Sequence, residues 1–136
     1  MTTCAITGSS GVLGKAIKKY LPYKFYEFKK DITNIKDIEK WTTQKDFDII
    51  IHCAALVPTN KVNNNYKKAY NINVNGSLNL VNSILKKKKK PKWFFFASTS
   101  HVYETSSKFI RTSERKKPNP QNKYGITKLI AENFLK

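Results

Sequence analysis

The sequence holds 136 residues, 40% of them hydrophobic and 12% aromatic, which is enough apolar material for the core of one domain and too much for a disordered chain. Its 26 basic and 9 acidic residues leave a net charge of +17. Only Arg111 and Arg115 are arginine, so the fork that reads phosphates and bases is scarce and nucleic acid is not the expected partner. No apolar run approaches the roughly 18–20 residues that span a bilayer, and MTTCAITGSS has neither the basic start nor the apolar stretch of a secretory signal.

In chain order, residues 3–7 (TCAIT) read as a short buried strand running into Gly8. Val12, Leu13, Ala16, Ile17 and Leu21 then recur at helical spacing, and Pro22 stops the helix. KFYEF at 24–28 is a strand, followed by a helix marked by Ile35, Ile38 and Trp41 with Thr33 or Asn34 as its cap. FDIIIHCAA at 47–55 is a β-branched buried strand. A long helix over 66–87 follows, with Ala69, Ile72, Leu78, Val81 and Leu85 inward; its lysine-rich end suits the helix dipole. WFFFAS at 93–98 is a further apolar strand, 106–121 a polar proline-bearing loop, and the last helix begins near Gln121. Cys4 and Cys53 both fall in buried strands and read as structural thiols in a reducing, cytoplasmic setting. His52 and His101 read as structural, with no metal partners near them.

Strand and helix alternate, and the strands are continuous apolar runs rather than in–out patterns, so the expected fold is α/β: a parallel sheet covered on both faces. The whole chain, 1–136, is one such domain. Four strands are few for a doubly wound sheet, and the expectation is a fold incomplete at its C-terminal side.

Two motifs carry chemistry. TGSSGVLG places Gly8, Gly11 and Gly14 between the first strand and its helix. One glycine permits the tight turn, one lets a pyrophosphate approach the backbone, and one lets the helix pack close to the sheet, with phosphates at the helix N-terminus. In KYGITK, Tyr124 and Lys128 share a helix face one turn apart. A phenol of ordinary pKa, ~10, is a poor base near neutrality, and a neighbouring ammonium favours its ionised form.

With its G-x-x-G-x-x-G spacing, the turn together with YGITK resembles the short-chain dehydrogenase/reductase superfamily. The closer likeness is to its extended branch of nucleotide-sugar epimerases, dehydratases and reductases. FDIIIHCAA, NINVNGSLNLV, STSHVY and PNPQNKYGITK are similar to further segments of that branch, in the same order. The resemblance implies a Rossmann-like doubly wound sheet holding NAD, with NADP as the alternative. It assigns Tyr124 as acid/base, Lys128 as its partner and the holder of the nicotinamide ribose, and Thr99 as the hydroxyl that orients the reacting oxygen. It assigns Gly8, Ser10, Gly11, Val12, Leu13 and Gly14 to the cofactor's diphosphate turn, and Ala54, Ala55 and Leu56 to the wall beside it. Asn73 holds a helix and the cofactor site in register. Glu27 lies at the distance where a carboxylate binds the ribose of NAD; Lys29 and Lys30 next to it suit the extra phosphate of NADP; Asp31 and Ile32 fall at the adenine.

The resemblance also has departures. Ser100 and His101 stand where dehydratases of the branch carry two carboxylates, which disfavours dehydration. The C-terminal substrate-binding domain of extended members is expected to be absent. The implied activity is epimerisation or reduction of a nucleotide-sugar by hydride transfer, with pairing as a homodimer through two helices. The competing reading is a non-catalytic dinucleotide-binding module with a regulatory or scaffolding role.

Overall fold

The order of the strands in space follows from how the chain crosses between them. The computed structural model describes residues 2–57, 59–104 and 111–136; the loop expected at 106–121 lies partly outside the described residues. Strands β1 (Cys4–Thr7), β2 (Phe25–Phe28), β3 (Ile49–His52) and β4 (Trp93–Phe96) form one sheet in the order β2-β1-β3-β4. All three pairings are parallel, with Cys4 opposite both Phe25 and Ile49, and Ile49 opposite Trp93. The chain winds outward from β1 to β2, then returns past β1 to lay down β3. The carboxyl ends of β1 and β3 therefore flank the point where the winding reverses, the place where open α/β sheets form a crevice.

Period-2 alternation sorts the strand residues between two faces. One face carries Ala5, Phe28 and Ile50 into a core with Ile38 and Trp41 of α2 (Ile35–Thr43) and Leu80 and Ile84 of α5 (Gly76–Leu85). Trp41 stacks at 5.2 Å from both Phe28 and Phe47; truncating so buried an indole costs about 3–5 kcal/mol. The other face is a smaller cluster of Cys4, Ile6 and Ile51 under Ile17 of α1 (Val12–Tyr20). Cover on that side is thinner over β4, where Trp93 is 54% exposed. Asn34, one of the two expected caps, starts α2 by accepting from the amides of Lys36 and Asp37 at 3.1 and 3.3 Å.

The long helix expected over 66–87 differs in one instructive way. It is built as α4 (Tyr66–Tyr70), a π-helical segment (Asn71–Asn75) and α5, and a separate short helix, α3 (Thr59–Asn64), precedes it. The Gly76 amide reaches back to the Asn71 carbonyl, five residues away. The wider turn rotates everything after it, so Leu80 and Ile84 enter the core while Leu85, expected inward, is 60% exposed. A uniform 3.6-residue period cannot foresee such a rotation. The last helix, α6 (Lys123–Leu135), follows a short 3-10 turn at Ser100–Val102 in the described chain.

Gly14 is the point at which α1 meets β1. A Cβ there would lie 2.3 Å from the Gly8 carbonyl oxygen and 2.7 Å from the Ser9 Cα. Both are backbone atoms that cannot swing away. Gly14→Ala is expected to destabilise the fold by about 1–3 kcal/mol, read as a lowered urea midpoint; an unchanged midpoint would show that α1 is free to lift from the turn.

Candidate active site

The glycine turn opens onto a cleft of about 1070 Å³ that Tyr124 also lines. Gly8 adopts φ +70°, and its missing Cβ is what allows the Cys53–Ala54 peptide to pass, since a Cβ would sit 2.5 Å from the Ala54 nitrogen. Gly8, Ser10, Gly11 and Gly14 all line the cleft. Gly11 heads α1 without any side-chain cap, so the first amides of the helix keep donors for a ligand's oxygens. Val12 and Leu13 line the cleft too, at 91% and 47% exposure. They fall in the first turn of α1, ahead of the point where the helix touches the sheet at Gly14.

Glu27, Asp31 and Ile32 border the cleft on the β2 side, with Lys29 and Lys30. Both carboxylates are already engaged. Glu27 accepts from Lys18 Nζ at 2.9 Å and lies 3.9 Å from Lys29 Nζ; a hydrogen bond from Ser9 and then that from Lys18 hold it below the usual carboxylate range. Asp31 accepts from the Thr33 amide at 2.9 Å and the Thr33 hydroxyl at 2.8 Å, which lower its pKa and fix the turn into α2. Ile32 is buried and also packs against Gly76, whose added Cβ would meet its Cγ2 at 2.7 Å.

Ala54 and Ala55 form the wall beyond β3. Leu56 stands behind the lining, its amide donating to Asn73 Oδ1 at 2.7 Å and its carbonyl accepting from Asn73 Nδ2 at 3.4 Å. Asn73 is fully buried within the π-helical segment and also donates to Thr127 Oγ1 at 3.0 Å. It thus holds the β3 exit and α6 together.

Tyr124 is half-buried in the cleft wall. Burial raises its phenol above the ordinary value, and a hydrogen bond with Thr99 pulls it back down. Thr99 also caps the 3-10 turn, accepting from the His101 amide at 3.2 Å. Lys128 is 2% exposed, with Nζ 4.0 Å from the centroid of the Phe96 ring. Burial pushes its ammonium down to about 8, against the pull of Cys53 and Glu132. The groups acting on the phenol are therefore its own burial and Thr99, while the ammonium faces Phe96 from behind the lining. Tyr124 and the glycine turn line one cleft, while Thr99, Lys128 and Asn73 lie outside its lining.

Sequence reasoning passed over several residues that shape this corner. Gly125 lets α6 seat on the 3-10 turn, since a Cβ there would lie 2.1 Å from the His101 carbonyl oxygen. Asn122 caps α6 through the Gly125 amide at 2.8 Å and donates from Nδ2 to His101 Nδ1 at 2.9 Å. The His101 ring packs edge-on to Tyr124 at 5.8 Å. An Asn three residues before a Gly at a helix start was the available signal. Ser98 and Cys53 also line the cleft, Ser98 donating to Glu132; burial raises the Cys53 thiol's pKa, with Lys128 opposing. Among the described residues no group of three or more His, Cys, Asp or Glu side chains could hold a metal ion, and no helix is long and apolar enough to cross a membrane.

A parallel sheet with a glycine turn at its switch point and a tyrosine–lysine helix across the crevice defines the Rossmann-like α/β class. Within that class the chain belongs to the NAD-dependent epimerase/dehydratase family, whose profile matches residues 4–136. It is 31% identical over 106 residues to a UDP-glucose 4-epimerase of Pisum sativum, covering 78% of this chain and 29% of that protein. A dTDP-4-dehydrorhamnose reductase from Bacillus anthracis str. Ames, solved in complex with NADP, superposes with TM-score 0.87 at 30% identity, covering 99% of this chain and 49% of that one. A UDP-glucose 4-epimerase from Thermotoga maritima, solved with UDP-glucose, shares the fold with TM-score 0.88 at 22% identity, over 98% of this chain and 50% of that one. The chain thus spans about half the length of these solved structures and less than a third of the pea enzyme.

Two buried groups set the response to pH and charge. His52 is 1% exposed, and burial, then the Lys128 charge, push its pKa from 6.5 to about 3. The folded chain refuses a proton that the unfolded chain accepts, so this stability is full above pH 6.5 and is lost as pH falls toward 3. Between pH 7 and 5 the loss is expected to be about 2 kcal/mol, measured as urea midpoints; a flat profile there would show that the ring is not held neutral. Lys128 has the same sign of linkage in a higher window, so that at neutral pH it is charged and its cost is already in force. Its folded pKa lies below 10.5, so the buried charge weighs on the fold below pH 8 and is relieved as pH rises from 8 to 10.5. Lys128→Met is expected to raise stability at pH 7 by about 1–3 kcal/mol, and a lowered thermal midpoint would refute that sign.

Proposed function

We propose that this chain is the dinucleotide-binding part of an NAD(P)-dependent epimerase or reductase that acts at a hydroxyl or carbonyl carbon of a nucleotide-sugar. The observation carrying the reading is that one cleft is lined by both the Gly8–Gly14 turn and Tyr124. The residues fit a dinucleotide. The two backbone approaches that a Cβ at Gly8 or Gly14 would block leave amides at the head of α1 for a diphosphate. The cleft volume of about 1070 Å³ is ample for a ligand of that size. Lys18, Lys29 and Lys30 surround Glu27 and Asp31 at the adenosine end. Glu27 favours the free ribose of NAD, and the flanking lysines leave NADP within reach.

A bound nicotinamide supplies a site that accepts and returns hydride. The rest falls to this chain's own side chains. Tyr124 takes the proton of the substrate hydroxyl, or gives one to the carbonyl, at its phenol oxygen. Thr99, whose hydroxyl acts to lower the pKa of that phenol, orients the same substrate oxygen. Lys128 offers an ammonium beneath the cleft to the cofactor's ribose, and a pKa near 8 keeps it charged at neutral pH. Asn73 keeps the β3 exit and α6 in register while the proton moves.

A second reading has its own support. The relatives are about twice as long as this chain or longer, so residues 1–136 by themselves act as a dinucleotide-binding module without turnover. Titration with NADH and NADPH tests both readings: the chain is expected to bind NADH measurably, and an absence of any binding at millimolar cofactor would remove the shared premise. In a form carrying the remaining length of the relatives, Tyr124→Phe is expected to lower kcat by about 10²–10⁴-fold with cofactor affinity nearly unchanged. Equal turnover by the variant would mean that another group moves the proton.

A further inference from the structure

Beneath the cleft runs a buried chain of polar side chains, of which the proposed chemistry uses Asn73 alone. Thr7 ends β1 immediately before Gly8, and its Oγ1 lies 2.6 Å from His52 Nδ1. His52 ends β3, and its Nε2 lies 2.9 Å from Ser77 Oγ. Ser77 donates to the Asn73 carbonyl at 2.7 Å. Asn73 Nδ2 donates to Thr127 Oγ1 at 3.0 Å, and Thr127 donates in turn to the Tyr124 carbonyl at 2.8 Å. Thr7, His52, Asn73, Ser77 and Thr127 are each 0–1% exposed.

The proton positions follow by elimination. A serine hydroxyl has one proton, and that of Ser77 is committed to the Asn73 carbonyl. The contact with His52 can only run from Nε2–H to the serine oxygen, which leaves Nδ1 bare as an acceptor. Thr7 then donates to Nδ1, and its oxygen accepts from the Ala54 amide at 3.3 Å. Every donor has an acceptor and the bonds run in consistent directions. Such a network orders its members more firmly than isolated pairs would. The charged group nearest this ring is Lys128, reaching over Phe96, whose ring lies 5.7 Å from His52.

We propose that His52, locked as the Nε2–H tautomer between Thr7 and Ser77, is a positioning residue that sets the π-helical segment, and through Asn73 and Thr127 the backbone at Tyr124, relative to the glycine turn. It never touches the reacting atoms; its part in catalysis rests on the acid/base role proposed for Tyr124.

Two measurements on the 136-residue chain test this. Long-range ¹H–¹⁵N spectra should show one His52 nitrogen pyrrole-like, assigned as Nε2, and one pyridine-like, unchanged from pH 8 to pH 5. An Nδ1–H tautomer or an exchanging mixture would overturn the proposal. The second measurement is the titration midpoint of the Tyr124 ¹³Cζ signal, assigned with Tyr124→Phe. Ser77→Ala, the mild variant, and His52→Phe should move that midpoint by about half a pH unit or more. His52→Gln, whose side-chain amide still reaches Ser77, should stay near the parent value. A folded Ser77→Ala with lowered thermal stability but an unmoved Tyr124 midpoint would reduce His52 to packing and end the proposal. Neither readout uses a cofactor. Failure of the parent chain to bind NADH would therefore count against the functional reading alone.

Discussion

The Gly8 backbone lies directly against the Cys53–Ala54 peptide, and the whole upper edge of the sheet is arranged around that approach. A methyl group at Gly8 would lie within 2.5–2.8 Å of three atoms of that peptide, and the Gly8 carbonyl in turn occupies the space that a Gly14 side chain would need. Two strand exits and the first turn of α1 are thereby drawn to one spot. With no side chain there, the helix amides stay open to the cleft instead of being capped. The left-handed φ of +70° is the local cost of the arrangement. Thr7 reinforces the same junction from below, its hydroxyl bridging the Ala54 amide and the His52 ring.

The site places its polar and charged groups in a deliberate depth order. Glu27 and Asp31 lie at the rim and are satisfied by lysine, serine and threonine partners. Tyr124 and Thr99 sit midway. Lys128 and His52 lie deepest, where solvation is lost, and burial drives each toward its neutral form. His52 is reconciled to that depth by two hydrogen bonds. Lys128 has the Phe96 ring against it and the fields of Cys53 and Glu132 nearby, and burial of its charge weighs on the fold.

The strands, the first two helices and the glycine turn were legible because each depends on local sequence: apolar runs, the Asn34 cap, and glycines where backbones touch. The tyrosine, lysine, threonine and asparagine were singled out only through resemblance, since spacing alone leaves a YxxxK pair ambiguous. What escaped depends on three-dimensional context. The π-helical turn at Asn71–Asn75 follows from Asn73 reaching both Leu56 and Thr127, contacts 17 and 54 residues away in the chain, and no periodicity encodes them. The His52 relay escaped because a histidine inside an apolar run looks like any buried ring until Thr7 and Ser77 are seen on either side. Val12 and Leu13 recur at helical spacing yet line the cleft, because they fall in the first turn before α1 reaches the sheet.

One feature of the sheet bears on how the chain behaves in company. β4 is the end strand, and among the described residues nothing pairs with its outer side. Its side chains are WFFF, with the indole largely in water. An apolar edge of this kind recruits strands from neighbouring molecules. Lys89 and Lys92 gather beside Trp93 at the start of that strand, where like-charged molecules approaching edge to edge would repel one another. In residues 1–136 by themselves, the lysine surplus thus stands as a colloidal guard beside that margin. Because the guard is Coulombic it weakens as added electrolyte shortens its range from about 10 Å at 0.1 M to about 3 Å at 1 M, and crowded, saline surroundings would be the ones in which these molecules begin to cling.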